Sequence, residues 1–195
     1  MIDLSGLDAW RANVSKHRFA FALLAALVAT HMATVSGYWY KIIGISTLGW
    51  PQFNGILLLV HPYGPNGAGA TATQQFWAGT VYHYGTGICY GLIFAFLIHP
   101  ILKIPNTVVG NLGKALLWGG VLATLSALLW VPRNFPEFHP GFFTNNLGWD
   151  VILGIYVWHA VYGLTLGAFY SPLPETATER AMAAAPAMAP AEPSV

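Results

Sequence analysis

The chain has 195 residues, 55% of them hydrophobic, 14% aromatic and only 8% charged. A soluble globular domain carries about 25% charged residues, so this composition cannot clothe a water-facing surface and implies lipid as solvent. Eight bases against seven acids leave a net charge of +1, which excludes an electrostatic footprint for nucleic acid, and the single cysteine, Cys89, excludes an internal disulfide.

Residues 1–18 form a basic leader carrying Arg11, Lys16 and Arg18, followed by an apolar stretch from Phe19 to Tyr40. That stretch is longer than the h-region of a signal peptide and lacks a clean small-residue cleavage site, so it is expected to remain as an anchor. Three further stretches free of Asp, Glu, Lys and Arg run from Phe76 to Leu102, Ala115 to Val131 and Val151 to Tyr170. At 1.5 Å per residue, about 20 residues cross the hydrocarbon core, so the expected fold is an all-α integral membrane protein, a bundle of four transmembrane helices over residues 19–170. Lys and Arg side chains set orientation: six lie on the flanks of one side, against Lys41 and Arg133 on the other. Both termini are therefore expected on the cytoplasmic side of a bacterial inner membrane.

Between the first two spans, residues 41–75 are apolar but broken by Gly44, Gly49, Pro51 and Gly55. This insertion is too short to cross and is expected to lie in the interface, re-enter or dock on a partner. The second outer segment, Arg133 to Asp150, reads as a tight aromatic loop, with Asp150 capping the fourth helix. Residues 171–195 are rich in Ala and Pro and are expected to be a disordered cytoplasmic tail.

The second span carries His83-x-x-x-Gly87-x-x-x-Gly91 and the fourth His159-x-x-x-Gly163-x-x-x-Gly167, each continuing to a Pro, at 100 and 172. The odd spans match more weakly, Leu27 to Thr30 against Val121 to Thr124. A tandem repeat of two helical hairpins is expected, with Gly87, Gly91, Gly163 and Gly167 as helix-packing positions, because residues at i, i+4 and i+8 share a face and glycine admits a neighbouring backbone.

The run Ala29 to Thr34, His83 with its glycines, Gly141-Phe142-Phe143, and His159 to Gly167 resemble uncharacterised bacterial four-helix inner-membrane proteins, the YagU-like and related families of unknown function. The resemblance covers about residues 20–172 and implies a fold but no reaction.

His31, His83 and His159 all fall about 12 to 14 Å below the expected outer ends of their spans. Polar groups at that depth are costly unless they pair or bind something, and three readings are open. Each imidazole hydrogen-bonds a hydroxyl or carbonyl of a neighbouring helix; or His83 and His159 ligate haem b or a related pigment; or all three hold copper or zinc. The spans contain no ionisable carboxylate or cation of the kind proton-coupled transport uses, and no nucleophile stands at motif spacing from a base. The expectation for function is a non-catalytic accessory subunit of a larger membrane complex, docking other membrane-protein subunits through Trp50, Phe53, Phe142 and Phe143. The alternative is an electron-transfer or pigment protein using the intramembrane histidines.

Overall fold

A computed structural model describes residues 5–46, 49–59 and 70–174. Six helices organise it: α1 (Ser5–Lys16), α2 (Arg18–Ile43), α3 (Trp50–Leu59), α4 (Ala72–Ile101), α5 (Val108–Asn134) and α6 (Trp149–Phe169). Of these α2, α4, α5 and α6 are long and apolar enough to cross a membrane.

The long helices pack through small residues. On α2, Ala22, Ala25, Ala26, Ala29, Thr30 and Ala33 are all buried, at the spacing of one broad face. A Cβ at Gly87 or Gly91 of α4 would collide with Thr30 or Ala26 of α2. On the other side of the bundle Gly163 and Gly167 of α6 lie against Ala115 and Asn111 of α5, and Gly119 of α5 lies against the His159 carbonyl. Small residues at these contacts let the helix backbones approach closely, and the dispersion gained there contributes to the packing. All four glycines singled out by spacing do pack against neighbouring helices.

α4 and α5 each contain one wide turn before a proline. The His99 amide reaches back to the Phe94 carbonyl ahead of Pro100, and the Val131 amide to Ser126 ahead of Pro132. Proline lacks an amide hydrogen and its ring crowds the carbonyl four residues back, which a local i→i+5 turn relieves without ending the helix.

Helix starts are set by local chemistry. Thr71 and Gln74 form a reciprocal capping box at α4, and Thr107 accepts from the Gly110 amide at 2.9 Å to start α5. That cap places Asn111 and Lys114 inside α5, earlier than the expected boundary at Ala115. Asp150 is not the cap of α6. Gly148, at φ +104°, occupies that position, and Asp150 falls in the first turn, where a carboxylate meets the positive end of the helix dipole.

The segment after α2 turns back into the bundle. Ser46 lies against Gly154 of α6, and Trp50 stacks on Trp158, about 13 Å further along α6 than Trp149. From there α3 climbs antiparallel to α4: Pro51 sits against Gly79, and Gly55 against Gln75, so closely that a Cβ on either glycine would collide with backbone. α3 thus packs on the helices of its own chain.

The end of the bundle on which α1 packs is closed by a polar clamp. Arg11 of α1, only 8% exposed, donates to the carbonyls of Asn106, Ser171 and Pro172. Asn111 donates to Ser171 Oγ at 3.0 Å and Pro172 O at 3.1 Å, while its Oδ1 meets His99 Nε2 at 2.9 Å. Burial pushes the Arg11 guanidinium down from its ordinary value and Asp8 pushes it back up. Ser171 and Pro172 are buried and the Leu173 amide donates to Ser15, so the chain stays packed to Pro174 and the tail boundary expected at 171 moves outward. Residues 175–195 lie outside the described residues.

Candidate functional site

A cavity of about 100 Å³ lies where α2, α4, α5 and α6 meet the foot of α3. Its wall includes Thr30, Asn54, His83, Ser126, Trp158 and His159. The floor of α3 builds one side: Trp50 stacks on Trp158 with centroids 5.0 Å apart, Trp158 stacks on His83 at 4.9 Å, and Trp130 leans on Trp50 at 5.8 Å.

The histidines expected at one depth do share a level, but not one face. His83 Nε2 is 3.0 Å from Thr34 Oγ1, and His159 Nε2 is 3.4 Å from Ser126 Oγ. His31 instead is exposed on the outside of α2, its Nδ1 2.8 Å from the Tyr84 hydroxyl. The reason is angular: Thr30 and Thr34 face α4, and the neighbouring residue is turned about 100° away. A copper or zinc site of all three imidazoles is therefore not assembled, and among the described residues no group of three His, Cys, Asp or Glu side chains is placed to hold a metal ion.

A bis-imidazole haem or pigment does not fit either. One face of His83 is covered by Trp158 and its Nε2 is engaged by Thr34, while His159 Nε2 has only Ser126 near it, at 3.4 Å. A cavity of about 150 Å³ is what it takes to hold a benzene, and this one is smaller. The arrangement matches the remaining reading, in which each imidazole bonds a neighbouring helix.

Two cavity residues carry a polar atom that finds no partner. Asn54, 4% exposed, has an unbonded Oδ1, and Trp158, 7% exposed, an unbonded indole Nε1. A buried unsatisfied group costs about 1–3 kcal/mol, which marks both as points to be satisfied. Neither was singled out from the sequence. Asn54 had a signal, being an amide inside an apolar decapeptide, while Trp158 reads as an ordinary apolar residue.

For the indole the satisfying atom can be supplied. A Cβ built on Gly37 would lie 4.0 Å from Trp158 Nε1. Gly37→Ser is expected to place its hydroxyl within reach and raise stability by about 1 kcal/mol, read as a higher melting temperature in detergent. Gly37→Ala separates the two contributions: if it stabilises as much as serine, helix propensity alone accounts for the gain.

The docking residues divide. Trp50 packs against Trp130 and Trp158, and Phe53 meets Phe135 and Phe138 edge-on at 5.4 and 5.5 Å, so both are spent inside the fold. Phe143 packs on the bundle near Tyr156, held in a turn whose Thr144 hydroxyl donates to the Ala127 carbonyl. Phe142 is 79% exposed. No protein-family model, curated protein or solved structure matches this chain.

Proposed function

We propose that this chain is a non-catalytic multi-pass membrane protein that binds a small polar molecule in the cavity between its helices, as an accessory subunit of a larger assembly. The observation that carries the binding role is a cavity between the helices whose mostly apolar wall holds a buried, unpartnered Asn54. Polar groups at membrane depth are retained at a cost, and a pocket with a few convergent polar groups is the default form of a ligand site. The accessory role rests on Phe142 and Trp149, exposed at 79% and 74% at the loop end of the bundle.

The orientation proposed puts both termini on the cytoplasmic side of a bacterial inner membrane, on the strength of six flanking Lys and Arg residues on that side against Lys41 and Arg133 on the other. A tandem origin is supported by Gly87 and Gly91 meeting α2 while Gly163 and Gly167 meet α5. The odd helices do not follow the register of their sequence match, since Gly163 meets Ala115 and Leu116, well before Thr124.

The test is a titration of detergent-extracted protein with solutes of three to four heavy atoms, read by tryptophan fluorescence. At least one solute is expected to give a saturable change that Ala33→Leu, which fills the cavity, abolishes. If none saturates, the binding role is wrong; if larger partners co-extract equally with Phe142→Ser, the docking role is wrong.

A further inference from the structure

The cavity wall has a bias in hydrogen bonding that follows from where its hydrogens already go. Thr30 donates its hydroxyl hydrogen to the Ala26 carbonyl at 2.7 Å, Thr86 to the Tyr82 carbonyl at 2.8 Å, and Tyr162 to the Gly87 carbonyl at 2.7 Å. A hydroxyl has one hydrogen, so all three turn only lone pairs to any further partner.

The imidazoles are biased the same way. His159 Nδ1 lies 2.8 Å from the Ile155 carbonyl, which only accepts, so Nδ1 carries the hydrogen and Nε2 is the acceptor. The one hydroxyl near that Nε2, Ser126, is at 3.4 Å, the outer limit of a hydrogen bond. For His83, Thr34 has already given its hydrogen to the Thr30 carbonyl at 2.7 Å, so His83 Nε2 donates to Thr34 and Nδ1 is left as acceptor. Asn54 adds its unpartnered Oδ1.

These lining groups therefore present acceptors; the one unpartnered donor of a lining residue, Trp158 Nε1, lies beside Gly37, which is not part of the lining, and the lining contains no carboxylate, lysine or arginine. An acceptor-lined, uncharged site selects a donor, and a full charge would be stripped of water with no countercharge to receive it. The volume equals that of about three water molecules, room for three or four heavy atoms. We infer that the cavity is a site for a small neutral hydrogen-bond donor, of the class of water, ammonia and short alcohols, bound through Asn54 Oδ1 and His159 Nε2. This inference rests on the cavity being a binding site at all.

The experiment compares near-isosteres on the full chain in detergent, by tryptophan fluorescence: 2-propanol, which donates, acetone, which only accepts, and xenon, which does neither. One hydrogen bond to an otherwise unsatisfied acceptor is worth about a factor of ten, so 2-propanol is expected to bind about tenfold tighter than acetone. His159→Phe and Asn54→Leu are each expected to shrink that preference to about twofold while binding of xenon is kept or improved. Equal or tighter binding of acetone, or of xenon to the unmodified chain, overturns the donor inference and leaves a binding cavity standing. Saturation by none of the three removes the cavity's binding role and the inference with it. The ligand comparison on the unmodified chain decides even where a variant fails to fold.

Discussion

Gly79→Leu is expected to expel α3 from the bundle. At this position a Cβ alone would collide with the Pro51 carbonyl and the Gly55 amide, both backbone atoms that no rotamer change can move. Overpacking against flexible side chains costs about 1–3 kcal/mol, and backbone collision places this substitution at about 3 kcal/mol or above. Release of α3 also removes Trp50 from Trp158 and Asn54 from the cavity wall, so the site opens as stability falls. The check is maleimide labelling of Asn54→Cys in a Cys89→Ala background. Asn54 is 4% exposed, and the introduced thiol is expected to be protected in the parent and to react once Gly79→Leu is added. Gly85→Leu is the control, since nothing lies within 4 Å of a Cβ there, and it is expected to leave labelling unchanged. Equal protection with and without Gly79→Leu would show that α3 is held by something other than this glycine contact.

Arg11→Ala is expected to cost about 3 kcal/mol, seen as a large drop in melting temperature. Its guanidinium serves three backbone carbonyls, at Asn106, Ser171 and Pro172, in a site only 8% exposed. Hydrogen bonds to a charged donor contribute about 1.5–3 kcal/mol each, partly offset by water reaching the freed carbonyls. Arg11→Lys is expected to recover less than half of the loss, because an ammonium is a point donor and the three acceptors need a planar fork. Lys16, exposed at the end of α1, gives the comparison for charge alone: Lys16→Ala is expected to change stability by under about 0.5 kcal/mol. Equal losses from Arg11→Ala and Lys16→Ala would sink the clamp and leave only a loss of positive charge.

The four long helices were legible because twenty apolar residues without charge have few other uses. Their ends were less so. Asn111 and Lys114 look like loop residues in a linear reading, yet they lie inside α5 because partners at Asn106, Ser171 and Pro172 satisfy them. Most of those partners are some sixty residues away, and no local pattern announces them. His99, which a linear reading leaves at a helix boundary beside Pro100, is likewise 2% exposed and lies against Asn111.

The candidate site was half legible. Depth along a helix follows from counting, so the common level of His31, His83 and His159 could be read. Azimuth also follows from counting, and the buried run Ala26, Thr30 and Ala33 places His31 off that face. What no counting supplies is which segment closes the cavity. That depends on α3 folding back, and on Gly55 and Gly79 meeting across more than twenty residues of intervening chain. Trp50 and Phe53 were accordingly assigned to a partner, because their own bundle was not visible as the surface they cover.

The Arg11 clamp joins the first helix to residues 106, 171 and 172. During synthesis, two of its three acceptors do not exist until every long helix has been made. α1 is thus made before α2 to α6 yet cannot complete this contact until all of them exist. In assembly α1 is a latch that closes only on a finished bundle.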